Sequence, residues 1–321
     1  FCDIIIMNGR VPRTKTAPQM LREFQALYDA GWRKSLFIVD DNFIGNKGKV
    51  KSMLPVLADW QKSRRYPFTL LTEVSVDLAA DRELMQLMSR SNFFKVFIGI
   101  ETPNVESLRE CNKQQNTAGS LAEAVHTIHR HGMQVMGGFI VGFDNDPENI
   151  FDMQIKFIQQ VGIVTAMVGL LTALPQTRLW HRLKAEGRLL GDASGENTDG
   201  FLNFQPVMDR ETLLQGYLKV LDHLYSRKNY YKRINIFLTN YRPTARVRVS
   251  RDDLLAFSRS MWRLGVKSRG RTSYWKLLGK TLMLKRKAVP MAIELAIFGL
   301  HFEKILSRIT PGCICEHPEG N

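Results

Sequence analysis

The stretch from Lys34 to Gly45, KSLFIVDDNFIG, decides the fold. Its apolar run, Leu36–Val39, predicts a short buried strand of a parallel sheet. Three polar residues, Asp40, Asp41 and Asn42, follow at what should be the carboxyl end of that strand. Sheets and barrels built from βα units bind their ligands at this edge. A turn followed by a helix cap is the alternative interpretation of the three residues.

Up to about residue 190 the chain alternates short apolar runs with helical patterns. Five predicted strands are each followed by a helix, an order typical of a parallel α/β sheet or barrel. The predicted strands are Leu36–Val39, Thr69–Val74, Lys95–Ile100, Gln134–Phe143 and Val164–Leu171. The predicted helices are Pro18–Ala30, Gly48–Arg64, Asp81–Ser91, Thr117–His131, Pro147–Val161 and Thr177–Glu186.

A polar segment separates this part from the rest of the chain. Gly187–Asn203 contains four glycines and an acidic cluster, which predicts a linker. The patterns beyond it are mainly helical, over Arg210–Tyr225, Arg251–Leu264, Tyr274–Lys285 and Val289–Ile309. We therefore expect a partial barrel in residues 1–190, a linker in 191–203 and a basic helical domain in 204–321.

The formal net charge of +14 lies almost wholly in the second part of the chain. Residues 1–200 contain 23 Lys and Arg against 22 Asp and Glu, a net of +1, whereas residues 201–321 contain 22 against 9, a net of +13. An asymmetry of this size indicates that the two parts meet different partners.

Two hypotheses follow from the basic part. Its Lys and Arg are mixed with aromatic residues such as Tyr230, Tyr241 and Trp275, a composition that suits a nucleic-acid-binding module. The other hypothesis is contact with a membrane surface, with Val289–Ile309 as an amphipathic helix beside basic residues. We favour the membrane over nucleic acid because no recognisable RNA-binding module is present.

Cysteine usage and hydropathy exclude other classes of protein. The four cysteines are Cys2, Cys111, Cys313 and Cys315. Their irregular spacing excludes a secreted disulfide framework, and the opening FCDIIIMNGR does not have the order of a signal peptide. The apolar run Val289–Leu300 is too short to cross a bilayer. We expect a cytoplasmic protein, peripheral to the membrane at most, and a fragment or processed product because residue 1 is not Met.

Polar groups recur at the carboxyl ends of the predicted strands. After Asp40-Asp41-Asn42 they are Thr72-Glu73, Glu101-Thr102, Asp144-Asn145-Asp146 and Thr172. Carboxylates on this edge can hold an ammonium group, ribose hydroxyls or a divalent metal. Capping of the next helix is the alternative, and we favour it for Asp144–Asp146. Glu101 lies farther from a helix, so capping explains it less well.

The fourth predicted strand contains GGFIVGF, with Gly137, Gly138 and Gly142. Glycine weakens a strand unless something must approach its backbone closely. A flat ligand lying over the strand and a tight bend of a barrel explain these glycines equally well.

These stretches together resemble the radical S-adenosylmethionine superfamily, and more closely its cobalamin-dependent class. The resemblance rests on Phe1-Cys2-Asp3, DDNF at 40–43, GIE at 99–101, GGFIVGF at 137–143 and LLTALPQT at 170–177. Residues 203–226 are also similar to the helical extension after the barrel in some members. The resemblance implies a TIM-like (β/α)6 barrel, of which this chain would lack the first strand.

The signature of the superfamily is CxxxCxxC, whose thiolates bind three irons of a 4Fe–4S cluster. Cys2 matches the last cysteine, and the two others would precede Phe1. The resemblance therefore implies that Cys2 is a metal ligand and that this polypeptide alone holds no intact cluster. Cys313 and Cys315 are interpreted as incidental residues of a tail rather than as a zinc site.

The remaining site residues are also implied by the resemblance. Asp40, Asp41 and Asn42 occupy the place of the GGE motif, which binds the cofactor's amino group, and Glu101 would contact the amino or ribose part. Backbone from Gly138 to Phe143 and near Thr172 would flank the adenine. The implied cofactor-binding residues are Asp40, Asp41, Asn42, Glu73, Glu101, Gly138, Gly142 and Thr172.

The chemistry that the resemblance implies is reductive cleavage of S-adenosylmethionine to a 5′-deoxyadenosyl radical. In the cobalamin class, it implies methylation of an unactivated carbon in a lipid or tetrapyrrole-like substrate, with cobalamin bound by an upstream domain. A small-molecule or lipid substrate and an external electron donor would be the partners. A radical enzyme that modifies transfer RNA is the alternative.

Overall fold

The computed structural model describes residues 4–9, 11–116, 119–191, 193, 202–246 and 250–306. Five parallel strands form one sheet in the chain order β1-β2-β3-β4-β5. They are β1 (Ser35–Ile38), β2 (Thr69–Glu73), β3 (Phe93–Glu101), β4 (Gln134–Val141) and β5 (Ala166–Leu170). All five match predicted strands to within a few residues.

Helices follow each strand and then make up the rest of the chain. The helices up to residue 190 are α1 (Ile4–Asn8), α2 (Ala17–Asp29), α3 (Lys47–Ser63), α4 (Arg82–Arg90), α5 (Val105–Glu110), α6 (Leu121–Arg130), α7 (Ile150–Val161) and α8 (Arg178–Ala185). The later ones are α9 (Arg210–Tyr225), α10 (Arg227–Asn240), α11 (Arg251–Ser260), α12 (Arg271–Leu284) and α13 (Val289–Leu306), with a π-helical segment at Met261–Lys267. Short 3₁₀ turns occupy Val76–Ala80, Gln114–Asn116 and Arg286–Ala288.

The strand order makes this a partial barrel. Each strand pairs with the next one along the chain, and crossovers between parallel strands are right-handed. Successive crossovers in one direction place their helices on one face of the sheet and leave the other as a concave face, as in TIM-like barrels. The predicted α/β fold with a helical C-terminal part is confirmed.

The prediction that β1 is a buried strand is wrong. β1 pairs only with β2, so it is an edge strand of the described sheet. Phe37 is 48% exposed and Val39, just past the strand, is 83% exposed. A continuous apolar run is typical of a central parallel strand, but it cannot distinguish such a strand from an edge strand.

Local signals explain where the helices begin. Thr16 and Gln19 form a capping box before α2. The Asn46 side chain accepts a hydrogen bond from the Lys49 N–H before α3, and Asp81 does the same for Leu84 before α4. These side chains satisfy amide groups that have no partner within the helix.

The C-terminal helices share one hydrophobic core with the sheet, and they close its amino end. Tyr225 at the end of α9 donates a hydrogen bond to Ala166 O at 2.5 Å. Arg233 of α10 reaches Val164 O at 3.2 Å, just before β5. At the start of β3, Lys95 pairs with Glu294 of α13. The carboxyl ends of the strands are therefore the open end of the partial barrel.

Two predictions about the C-terminal part need correction. Helix α10 was not predicted, although Tyr230, Ile234 and Phe237 give it an apolar stripe that is buried. Helix α13 was predicted to lie on a membrane, but it buries Met291 and Leu295. Its nearly continuous apolar sequence fits a helix that is packed on several sides. Among the described residues, no helix is long and apolar enough to span a bilayer.

The predicted linker falls partly outside the described residues, at 192 and 194–201. Its flanks meet, because Leu189 and Phe204 form an antiparallel bridge. Arg188 also donates a hydrogen bond to Gln205 O at 2.9 Å. The two ends of this segment are thus fixed beside each other.

Candidate functional site

Three carboxylates from two strands lie near enough at the open rim to influence one another electrostatically. Asp40 and Asp41 follow β1, and Glu73 is the last residue of β2. Burial raises the pKa of Glu73, and the negative charges of Asp41 and then Asp40 raise it further. Within the described residues, none of the three pairs with a lysine or arginine, and the Glu73 carboxylate accepts no hydrogen bond. The cluster therefore carries negative charge that the described chain leaves uncompensated.

Asn42 has a structural role beside this cluster. Its side-chain oxygen accepts a hydrogen bond from the Ser75 N–H at 3.1 Å, and its amide nitrogen donates to Ser75 Oγ at 3.2 Å. Asp40 accepts from the Asn42 N–H at 3.2 Å, and Asp41 accepts from Asn8 at 2.9 Å. Asn42 thus joins the loop after β1 to the loop after β2, and the two aspartates lie at the surface.

Glu101 ends β3 in a strained conformation. Its φ is +66°, which a non-glycine residue adopts rarely and at an energetic cost. The pairing of β3 with β4 shifts register between Gly99 and Glu101. The Glu101 side chain is 8% exposed and forms an ion pair with Lys113 at 3.0 Å. The structure thus places Glu101 on the rim with a cation already beside it.

Gly99 and Gly138 form a side-chain-free patch on the concave face. They are partners in the register of β3 and β4, so they lie side by side on one face. Phe97 and its partner Glu73 are on that same face. A Cβ on Gly138 would lie 2.9 Å from the Phe97 ring. A ring of this chain thus already lies close to Gly138, and Gly137 faces the opposite side, toward Phe139.

Gly142 lies in a tight turn. Its φ is +104°, and its N–H donates to Asp146 at 2.8 Å. Asp146 also accepts from the Phe143 N–H at 3.1 Å. Burial raises the pKa of Asp146 to about 6, against the effect of these hydrogen bonds. The amide of Gly142 is thus committed to the turn, and its proposed contact with adenine gains no support from this arrangement.

Asp144 belongs to a group of paired charges outside the carboxylate cluster. It pairs with Arg182 and Arg188 at 2.7 Å each. Burial opposes its ionisation, but the two arginines outweigh burial and lower the pKa of Asp144. The predicted helix capping by Asp144 and Asp146 is not observed, because Asn149 occupies the N-cap of α7. Asp144 instead pairs with two arginines, and Asp146 accepts hydrogen bonds within the turn at Gly142.

Thr172 follows β5 and is buried. Its hydroxyl donates to Leu170 O at 3.4 Å. Next to it, the Asn203 side chain accepts from the Ala173 N–H at 2.9 Å and donates to Ala173 O at 2.9 Å. The structure therefore places backbone near Thr172 at the rim, held there by Asn203.

Cys2, Cys313 and Cys315 lie outside the described residues. Cys111 is half-buried, and burial followed by the charge of Glu101 raises the pKa of its thiol to about 11. A thiol in this state is a poor metal ligand, since metals bind the thiolate. Among the described residues, no group of three or more His, Cys, Asp or Glu is arranged to hold a metal ion, so they do not form an iron–sulfur site.

Two residues that contribute to the rim were not predicted, Lys113 and Asn203. Lys113 lies in the loop after α5, where no hydrophobic pattern marks it. Asn203 is fully buried in a segment predicted to be a linker. A polar residue that is far along the chain from its partner gives no periodic signal, so only the structure identifies both.

Two cavities of the described residues lie apart from the carboxylate cluster. One of about 600 Å³ lies near the amino end of the sheet, between the last turns of α3, α4 and α6, with Lys62, Arg90 and Arg130 in its lining. Basic side chains at helix ends offset the negative end of the helix dipole, which explains them without a ligand. The other, of about 190 Å³, lies at the rim beside Cys111 and Arg182. The cluster instead lies on the open concave side.

Comparison with known proteins agrees with this architecture. Residues 1–158 match the family described as the radical SAM superfamily. Residues 177–312 match a family described only as a domain of unknown function, DUF4070.

Several curated proteins are similar to the chain. It is 45% identical to an uncharacterized methyltransferase of Synechocystis over 280 residues, which cover 86% of this chain and 52% of that protein. It is 32% identical to a hopanoid C-2 methylase of Rhodopseudomonas palustris over 88% of this chain and 54% of that protein. It is 28% identical to a bacteriochlorophyllide d C-12(1)-methyltransferase of Chlorobaculum tepidum over 73% of this chain and 50% of that protein. The chain thus spans about half the length of these relatives.

Proposed function

The first 158 residues of this chain belong to the radical S-adenosylmethionine superfamily, and we propose that the chain supplies the S-adenosylmethionine site of a radical C-methyltransferase. The proposed reaction is reductive cleavage of S-adenosylmethionine followed by cobalamin-dependent methylation of an unactivated carbon. All three curated relatives described above are named as methyltransferases or methylases, which supports the reaction class.

The observation that carries this proposal is the uncompensated cluster of Asp40, Asp41 and Glu73. S-adenosylmethionine carries two positive groups, an ammonium and a sulfonium. The pKa of Glu73 is raised by burial and then by the charges of Asp41 and Asp40, and a bound cation would offset both effects because it favours the charged carboxylate. The ammonium group therefore fits this cluster.

The concave face beside the cluster suits the adenosine part. Gly99 and Gly138 expose backbone there, so a flat group can approach the sheet closely. Glu101 lies at the end of the same strand as Gly99 and can accept hydrogen bonds from ribose hydroxyls. Lys113 holds Glu101 in this structure, so it would have to share or release that carboxylate when a ligand binds.

We propose that this chain binds some of the cofactors and that residues outside it bind the others. A reduced 4Fe–4S cluster would supply the electron that cleavage needs, and Cys2 is the one residue of this chain that we propose as its ligand. We place the cobalamin, like the two other cluster cysteines, outside this chain. The described residues would bind and orient S-adenosylmethionine and shield the concave face from water.

For the substrate we propose a broad chemical class. Relatives with 32% and 28% identity are named for a hopanoid and for a bacteriochlorophyllide, which are chemically different but both largely apolar and polycyclic. We propose a substrate of this general kind, a lipid or tetrapyrrole-like molecule, and an external one-electron donor as the second partner.

The test uses a polypeptide in which this chain is preceded by the residues that complete the CxxxCxxC motif. Reconstitution with iron and sulfide without oxygen should give iron–sulfur absorbance, and dithionite should then produce 5′-deoxyadenosine from S-adenosylmethionine. The 321-residue chain alone should show neither. A loaded cluster that yields no 5′-deoxyadenosine contradicts the assignment of the site.

A further inference from the structure

Helix α12 has two apolar stripes, and only one of them is buried. Tyr274, Leu277 and Leu278 face the core. Trp275, Leu282 and Met283 are exposed, and their spacing of i, i+7 and i+8 places Trp275 and Leu282 in one line along the helix with Met283 next to them, on its outer side. A soluble helix normally has polar residues on its outer side. The outer stripe therefore needs an explanation other than the packing of this chain.

The π-helical segment extends this stripe. Trp262 and Val266 are both exposed and lie four residues apart. The Trp275 indole donates to Gly265 O at 2.9 Å, so the segment and α12 are in direct contact beside these side chains. We call Trp262, Val266, Trp275, Leu282 and Met283 the outer apolar surface.

Positive charge surrounds the outer apolar surface. Residues 254–293 contain ten Lys and Arg and no Asp or Glu. The exposed basic residues nearest in sequence to the apolar ones are Arg263, Lys267, Arg271, Lys276, Lys280, Arg286 and Lys287. Lys285 is left out of this group because it has a structural role: it donates to carbonyls at the end of α10, including Thr239 O at 2.8 Å. The other basic residues form no ion pair within the described part of the chain, and Lys267 lies over the Trp262 ring at 5.4 Å.

We propose that the outer apolar surface docks on an anionic lipid membrane. Tryptophan prefers the boundary between lipid headgroups and acyl chains, while leucine and methionine insert below it. Lysine and arginine around them attract anionic headgroups. RNA would use the basic and aromatic residues, but it would leave Leu282 and Met283 in water. Lipid satisfies both the charge and the aliphatic side chains.

The proposed docking surface is separate from the rim. Helix α12 packs on α10 and α13, and α10 and α13 contact residues at the amino ends of the strands. Membrane binding and cofactor binding would thus use different parts of the chain. The proposal stands independently of the proposed methylation, and each can fail without the other.

The first experiment is co-sedimentation of the 321-residue chain with vesicles. We expect binding to vesicles that mix phosphatidylglycerol with phosphatidylcholine, and little binding to phosphatidylcholine alone. Added salt should weaken binding because it screens the attraction to headgroups. Failure to bind anionic vesicles at low salt contradicts the proposal.

Five variants, two of them controls, test the residues. Met283→Glu places a charge on a side chain that is 83% exposed and should weaken vesicle binding about tenfold or more. Val207→Glu is the control, at a side chain that is 67% exposed and outside the surface. Lys276→Gln and Lys280→Gln should each weaken binding about fivefold, whereas Lys156→Gln on α7 should not. Circular dichroism and the melting temperature establish that the variants are folded.

Binding of RNA or of a second copy of this chain to the outer apolar surface would give different results. If transfer RNA binds in a gel-shift assay and anionic vesicles do not, the surface serves nucleic acid and the membrane proposal is wrong. It is also wrong if Met283→Glu binds vesicles like the unchanged chain, or if light scattering shows a dimer that this substitution dissociates.

Discussion

The ammonium nitrogen of Lys113 lies 3.0 Å from a carboxylate oxygen of Glu101, and both groups occupy the space above Gly99. A Cβ on Gly99 would lie 2.6 Å from the Glu101 oxygen and 3.3 Å from the Lys113 nitrogen. The position of this largely buried ion pair therefore depends on the absence of a side chain at residue 99.

Replacing that glycine should disturb the pair. We expect Gly99→Ala to lower the free energy of unfolding by about 1–3 kcal/mol, the cost of inserting atoms into a packed site. In the reconstituted protein it should also raise the KM for S-adenosylmethionine. Gly48→Ala is the control, because its Cβ would meet only one atom within 4 Å, at 3.8 Å, and alanine favours the helix. Equal effects of the two substitutions in urea denaturation would refute the steric argument.

Reducing the negative charge of the carboxylate cluster should weaken the binding of S-adenosylmethionine. We expect Glu73→Gln to weaken S-adenosylmethionine binding about tenfold, the scale of a hydrogen bond to a charged group. The same change should raise stability by about 0.5 kcal/mol, because it removes repulsion between partly exposed charges. Glu148→Gln, on an exposed rim loop, has the same change in net charge. It should neither weaken S-adenosylmethionine binding nor raise stability.

The pH dependence of this cluster has a defined sign. The pKa of Glu73 is raised in the folded chain above its ordinary value of 4.5, so the native state holds its proton more tightly than the unfolded state. The contribution of Glu73 to stability is thus full at low pH and is lost as the pH rises above 4.5 through the folded pKa. Glu73→Gln should remove this loss, measured as the difference between urea midpoints at acidic and neutral pH.

His129 should make the chain sensitive to acid. Burial lowers the pKa of His129 from 6.5 to about 3, and both ring nitrogens lack a partner among the described residues. The unfolded state therefore binds a proton that the native state excludes, so stability falls as the pH drops below 6.5. Lowering the pH from 6.5 to 5 should therefore reduce the free energy of unfolding by about 2 kcal/mol through this residue. His129→Leu should abolish that part of the pH dependence, and His301→Leu, at an exposed site, should leave it unchanged.

Arg233 should be essential for attachment of the C-terminal helices. It is fully buried and donates to Leu224 O at 2.8 Å, Gln159 at 3.1 Å and Val164 O at 3.2 Å. We expect Arg233→Met to cost about 2–4 kcal/mol in urea denaturation, because buried carbonyls lose their donor. Lys232→Met, on the exposed side of the same helix, should change stability by less than about 0.5 kcal/mol. Similar costs for the two would contradict this role.

Much of the fold was predictable because hydrophobic periodicity reports burial along one element. The strands of the sheet and most helices follow from it. It says nothing about which elements become neighbours, and that is where the predictions failed. The exposure of β1 and the burial of α13 depend on neighbours far along the chain, as in the contact between Lys95 and Glu294.

The site was predictable to the extent that it follows strand ends. Asp41 and Glu73 were candidates because each follows or ends a strand, and the structure brings them together. Lys113 was missed because it lies in a loop without a hydrophobic pattern. Its partner Glu101 is twelve positions earlier in the chain. The turn made by Gly142 and Asp146 was missed because side-chain bonds to backbone leave no period in the sequence.

The closure of the amino end of the barrel by α9, α10 and α13 has a consequence for how this chain can change. Side chains that maintain the fold, such as Arg233 and Tyr225, lie at one end, and the carboxylates suited to a ligand lie at the other. Residues on the rim can therefore be exchanged with little effect on the shared core. Substitutions at Asp40, Asp41 or Glu73 should thus change ligand binding while the contacts of the opposite end stay as they are.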